Sequence, residues 1–174
     1  VIRSNIKLGK DFFCRDVLEV APDILGKVLV RRFDDGQLFR SRITEVEAYR
    51  GEEDRACHAS RGRTTRTEIM YQPGGSVYVY LIYGMYWMLN FVTGNSNEPQ
   101  ALLVRGLADV SGPGRITRNL RIGSDFYGED LTASGRLWVE SGDRQVTVQA
   151  GPRIGIDYAG EPWKTVPWRY VAIS

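Results

Sequence analysis

The chain has 174 residues, 43% of them hydrophobic and 25% charged, with a formal net charge of +2. That is the length of one domain with enough apolar material for a core, and the composition excludes a disordered chain. Every long apolar run is broken by Tyr, Gly or Asn, so no segment reads as a membrane span.

Taken in order, "DFFCRDVLEVAPDIL" carries a helical pattern, with Pro22 and Asp23 restarting a short helix that Gly26 ends. "KVLVRRF" reads as a strand, "DDG" as a turn, and "LFRSRITEVEAY" as a long second strand with room for a bulge. Gly51 to Thr67 is polar and Arg-rich, a loop with a helical turn. "SVYVYLIYGMYWMLNFVT" then reads as two strands around a glycine turn. It crowds Tyr78, Tyr80, Tyr83 and Tyr86 into nine positions and puts Tyr83 at the exposed tip. Tyr80 and Asn90 share a face only if Tyr80 lies across from Met88, with a loop of odd length such as Tyr83-Gly84-Met85. "ALLVRGL" is a strand, and Gly112, Pro113 and Gly114 turn the chain into a short helix, "RITRNLRI". "RLWVES" and "QVTVQAGPRIGI" are late strands, and the tail after Asp157 is aromatic and Pro-rich. Strands joined by short turns, with few helices, argue for an α+β fold. The expectation is a single compact domain over residues 1–174, built around a curved, mainly antiparallel sheet with a protruding β-hairpin.

Only Lys7, Lys10, Lys27 and Lys164 are lysines; the other cationic side chains are arginines, which suit phosphate and base edges. They cluster in "RGRTTR" (Arg61 to Arg66) and at Arg115, Arg118 and Arg121, where a solvated face is an equal reading. Cys14 and Cys57 show neither a pairing pattern nor zinc spacing, and no secretory signal is visible. An intracellular, reduced protein is the expectation. In "TEVEAYRG", alternation puts Glu45, Glu47 and Tyr49 on one face of a strand. That face is either solvent, or a place where Glu47 lies against an aromatic wall that lifts its pKa and keeps it a base near neutrality. His58 is the single histidine, so a histidine-based metal site is not expected. Asn90, inside an apolar strand, either ties down a loop or reads a ligand. "GPRIGI" is a turn and strand, or a backbone edge against a pocket. No Walker or dinucleotide glycine loop is present, so no nucleotide cofactor is expected.

Together "LGKVLVRR", "ITEVEAYRGEEDRACHASRGRT", "YVYLIYGMYWMLNFVT", "ALLVRGL", "SGPGRITRNL" and "GPRIGI" resemble, in order and over nearly the whole chain, the human-type alkyladenine (3-methyladenine) DNA glycosylases. The resemblance implies a base-excision repair enzyme that acts without a cofactor, as a monomer, on damaged double-stranded DNA. Such an enzyme flips an alkylated or deaminated purine out of the duplex and hydrolyses its N-glycosidic bond. Carried over by position, Glu47 would activate the water, and Arg105 and a backbone carbonyl near Ile154 would hold it. Tyr49, His58 and Tyr80 would stack on the flipped base, and Asn90 would crowd the guanine amine. Tyr83, with Met85 beside it, would fill the gap left in the duplex. Arg61, Arg63, Thr64, Tyr78, Arg115 and Arg153 would contact the DNA backbone. Of the four lysines only Lys27 lies in a matching segment, at the start of the strand "KVLVRRF", and none lies among the residues carried over to the site, which leaves water as the nucleophile. One departure is that Val110 runs straight into Ser111, where the family usually carries a further helical stretch. Two rivals stand beside this reading: a non-catalytic nucleic-acid-binding module of the same fold, and an RNA-binding or RNA-modifying β-domain.

Overall fold

A computed structural model describes residues 5–173. Two short helices open it, α1 (Lys10–Phe13) and α2 (Val17–Ile24). The helical stretch breaks at Asp16 rather than at Pro22. The Asp16 carboxylate accepts from Leu18 N at 2.9 Å and caps α2, which fixes the start of a helix. Pro22 lies inside α2, where its missing N–H leaves the Leu18 carbonyl without its helical donor, and the helix ends two residues later at Ile24. Val17, Val20, Ala21 and Ile24 form the buried stripe of α2.

The strands are β1 (Val28–Arg32), β2 (Leu38–Arg50), β3 (Val77–Ile82), β4 (Tyr86–Val92), β5 (Gln100–Leu107), β6 (Leu137–Glu140), β7 (Val148–Gly151) and β8 (Arg169–Ala172); a third helix, α3 (Pro113–Leu120), follows β5. The antiparallel sheet runs in the order β3-β4-β5-β2-β1-β6, with β8 paired to both β2 and β7. With its few helices this is the expected α+β class. Two details of the late chain differ from the sequence reading. β7 stops at Gly151, so "PRIGI" is irregular, and the aromatic tail supplies a strand, β8.

β2 is the hub. Its first part pairs with β1, and its second part pairs with β5 on one side and β8 on the other. The register slips between Ile43 and Val46. Ile43 and Val46, an odd number of residues apart, consequently both enter the core, where unbroken alternation would place them on opposite faces. Beyond the bulge the alternation is regular. Val46 and Ala48 of β2, Val77 and Val79 of β3, Leu89 and Phe91 of β4, and Leu102 and Val104 of β5 pack in the main core with α2 and α3. The intervening residues face away from that core.

The hairpin of β3 and β4 pairs Tyr80 with Met88, Tyr78 with Asn90 and Ile82 with Tyr86, leaving Tyr83-Gly84-Met85 as the loop. Met85 N donates to Ile82 O at 3.0 Å, and Tyr83 and Gly84 have φ of 53° and 62°. Positive φ at both central positions suits the twist of a hairpin. Glycine adopts it freely, whereas for Tyr83 it costs roughly 1–2 kcal/mol. Tyr83 is 84% exposed. After β5, Leu107 and Val110 exchange backbone hydrogen bonds and Ser111 bridges back to Gly106. The chain thus passes from Val110 to Ser111 through a tight turn and enters α3 at Pro113. No helix among the described residues is long and apolar enough to cross a membrane.

Candidate active site

The face turned away from the main core carries a row of four paired residues, Tyr78, Asn90, Leu103 and Glu47, one from each of β3, β4, β5 and β2. Tyr80 stands one step along β3, and Tyr49 one step along β2. The loop after β2 folds over this face and contributes a one-turn helix, His58–Arg61. Between loop and sheet lies a cleft lined by Tyr49, Cys57, His58, Tyr78, Tyr80, Asn90 and Tyr158, among others.

Glu47 is fully buried beside this cleft. Its Oε1 accepts from the Tyr49 hydroxyl at 3.0 Å, and its Oε2 from Ile154 N at 2.6 Å. Arg105 Nη1 stands 3.6 Å from Oε1. Burial pushes the carboxyl above its ordinary value, while Arg105, the Ile154 amide and the Tyr49 hydroxyl pull it back. A carboxylate accepts about four hydrogen bonds, so each oxygen keeps room for another donor. The "RIGI" segment thus meets Glu47 through the Ile154 amide.

The aromatic wall is interlocked. The Tyr78 hydroxyl and His58 Nδ1 share a hydrogen bond of 2.8 Å, and the His58 and Tyr80 rings meet edge to face at 4.4 Å. Burial, then Arg66 and Arg61, lower the His58 pKa to about 4, so the imidazole is neutral at neutral pH. Burial raises the hydroxyls of Tyr49, Tyr78 and Tyr80, which stay protonated. Asn90 spends its amide hydrogens on Tyr78 O (3.2 Å) and Met88 O (3.4 Å). The amide thus ties the two strands of the hairpin together, and the residue also lines the cleft.

The sequence matches the family described as Methylpurine-DNA glycosylase (MPG) over residues 11–111 and 108–173. A relative from Methanocella arvoryzae is 43% identical, covering 94% of this chain and 90% of its own length. One from Psychrobacter cryohalolentis is 43% identical, covering 92% and 89%, and one from Borreliella burgdorferi is 38% identical, covering 94% and 94%. All three are named, provisionally, as 3-methyladenine DNA glycosylases. The chain belongs to the methylpurine-DNA glycosylase family. It is accordingly a DNA glycosylase, a hydrolase of N-glycosyl bonds in the repair of damaged DNA.

Seen as a glycosylase, the chain places most of the expected residues on the cleft or on exposed surface, and it corrects two. Arg153, expected at the DNA backbone, has a fully buried side chain. Its guanidinium grips Asp54 with two nitrogens (2.6 and 2.9 Å), donates to Ala48 O, and lies between the rings of Tyr49 and Trp168. No surface is left for a phosphate. Tyr78, also expected at the backbone, is 2% exposed because its place on β3 turns it into the wall of the cleft. Arg61, Arg63, Thr64 and Arg115 are exposed, as a backbone contact requires. Arg63 is already engaged by Asn97, Glu68 and the Tyr71 ring. Arg115 lies on α3, whose Gly114 packs against Tyr86 of the hairpin, so α3 flanks the arm that carries Tyr83. Tyr83 and Met85 stand at the exposed tip, and Ile154 is half exposed above Glu47.

Two site residues escaped the sequence reading. Arg66 sits over the Tyr80 ring at 5.0 Å. Tyr158 lies at the mouth shared by the cleft and a second, Arg-lined groove formed by Arg55, Arg61 and Arg66. Arg66 belonged to a recognised arginine cluster, and its place over Tyr80 follows only from the path of the loop. Among the described residues no three metal-ligating side chains come together.

Proposed function

We propose that the protein flips a damaged purine into the cleft between Tyr49, His58 and Tyr80 and cleaves its N-glycosidic bond with a water activated by Glu47. One observation carries this reading: a fully buried carboxylate, raised by burial and held by donors on both oxygens, lies beside a cleft walled by aromatic rings. The water attacks the sugar carbon as the carbon–nitrogen bond breaks, and its proton passes to Glu47. The carboxylate also opposes the positive charge that develops on the sugar. Aromatic stacking contributes roughly 1–3 kcal/mol per base contact, and a cationic alkylpurine gains further from the ring faces. Tyr83 supplies the ring that replaces the lost stacking in the duplex. Asn90 acts by exclusion, crowding the amine of undamaged guanine. The substrates on this reading are 3-methyladenine, 7-methylguanine, hypoxanthine and ethenoadenine.

The test is excision from duplexes that carry each lesion. Release of free base, leaving an abasic site with no borohydride-trapped enzyme–DNA adduct, is the expected result. A trapped adduct would assign the attack to an amine and overturn the water mechanism.

A further inference from the structure

Beside Glu47 stand three more charged groups that form a ladder with it. Arg169 of β8 donates from Nε to Glu45 Oε1 at 2.7 Å. The same oxygen accepts from Arg105 Nε at 3.3 Å, and Arg105 Nη1 faces Glu47 at 3.6 Å. Charges therefore alternate, Arg169, Glu45, Arg105, Glu47, across strands β8, β2 and β5. Side-chain exposure falls from 30% at Arg169 through 18% and 19% at Glu45 and Arg105 to 0% at Glu47.

The backbone is shaped to allow this. The bulge in β2 brackets Glu45, and the residue across from it is Gly106. A Cβ on Gly106 would stand 3.0 Å from Glu45 Cβ and 3.0 Å from Thr44 Oγ1. β8 places Arg169 directly opposite Glu47 on the other edge of β2. A guanidinium is planar, so fixing its Nε fixes the aim of its other nitrogens.

We propose that Glu45 and Arg169 are positioning residues for the catalytic pair: Arg169 fixes Glu45, Glu45 holds Arg105 by Nε, and Arg105 so held presents Nη1 to Glu47. This rests on the reading of Glu47 as the base. Sharing Arg105 between two carboxylates keeps it from neutralising Glu47 completely, which leaves the base both oriented and basic. The other groups facing Glu47 are Tyr49 on its own strand, the Ile154 amide, Arg153 with its partner Asp54, and Tyr80 across the cleft. All of these stay unchanged in the variants below.

The signs of the two perturbations are opposite. Glu45→Gln removes a negative charge and gives Arg105 wholly to Glu47, so the Glu47 carboxyl should titrate at lower pH. Arg169→Gln leaves Glu45 under-compensated, so Glu47 should titrate at higher pH. The measurement is a ¹³C-carboxyl NMR titration of the glutamates, with the Glu47 signal identified by its loss in Glu47→Gln. Each single variant should also slow single-turnover excision of hypoxanthine by roughly three- to tenfold, the scale of a lost half-buried ion pair. In the double variant Glu45→Gln/Arg169→Gln the midpoint should return toward the native one, and Arg169→Lys should stay near it. Shifts of the same sign in the two single variants, or none, overturn the ladder; a merely structural role predicts lower melting temperatures without opposite shifts. If the titrations move as expected while the acid limb of the rate does not follow, the fault lies with Glu47 as base and not with the ladder.

Discussion

Replacing Glu47 by Gln separates chemistry from stability, and the two should move in opposite directions. The amide keeps the shape. Its oxygen still accepts from Ile154 N, and its NH₂ group donates to the Tyr49 hydroxyl, which accepts as well as it donates. What disappears is the proton acceptor, and losing a general base typically lowers the rate by about 10²–10⁴-fold. The stability effect follows from burial. The folded carboxyl titrates above its unfolded value. Between those two pKa values the native state therefore binds more protons than the unfolded state. Stability is full below the unfolded pKa and falls as pH rises through this window. In its ionised form Glu47 thus counts against the fold, because desolvation outweighs the pull of Arg105. Each pH unit of lift is worth about 1.4 kcal/mol, and each kcal/mol moves the melting temperature of a chain this size by about 2–4 °C. Glu47→Gln should therefore melt higher at pH 7.5, in proportion to that lift, with the gain shrinking toward pH 4. Single-turnover excision of hypoxanthine and calorimetry at both pH values measure this. A variant that excises at the parental rate refutes the base assignment. One that is inactive yet melts several degrees lower refutes the claim that its burial opposes folding.

Tyr83→Ala should impair excision most where the lesion is well paired, because removing the wedge affects extrusion and not bond cleavage; hypoxanthine opposite thymine and opposite a destabilising partner gives the comparison, and equal losses would refute a wedge. Asn90→Ser should raise release of undamaged guanine, measured by base release from undamaged DNA. It also loses two backbone ties, so a parallel fall in lesion activity and melting temperature would mark Asn90 as mainly structural. Arg153→Met strands a buried Asp54 and should cost about 3–5 kcal/mol, seen as a melting temperature lower by roughly 10 °C. It should leave the salt dependence of DNA binding alone, whereas Arg115→Gln should reduce the slope of log K against log salt by about one contact.

Much of the site was readable because strand alternation is a local rule. Parity along "TEVEAY" put Glu45, Glu47 and Tyr49 on one face, and the odd loop at Tyr83-Gly84-Met85 brought Tyr80 and Asn90 to one wall. The start of α2 was misread because Pro22 attracts attention as a breaker, while Asp16 needs only one side-chain bond to start a helix. Arg153 was misplaced for a different reason. Its partner Asp54 lies 99 residues away in sequence, and nothing local distinguishes an arginine that will be buried from one that reaches DNA. β8 escaped because its alternation is short and it follows a stretch rich in Trp and Pro. With it went Arg169, and so the ladder behind Arg105.

The four-residue row from Tyr78 to Glu47 works as a ruler. Its marks are the strand spacings of about 4.8 Å, so Tyr78 and Glu47 stand roughly 14 Å apart along the sheet, three spacings that backbone hydrogen bonds fix. Sliding any strand by one residue would turn its mark to the opposite face. The distance from Tyr78 to Glu47 is thereby written into the sheet itself. An altered enzyme for a larger or smaller base cannot be reached by adjusting that distance in small steps. It has to come from exchanging what stands on the inner marks, Asn90 and Leu103, while Tyr78 and Glu47 keep their places.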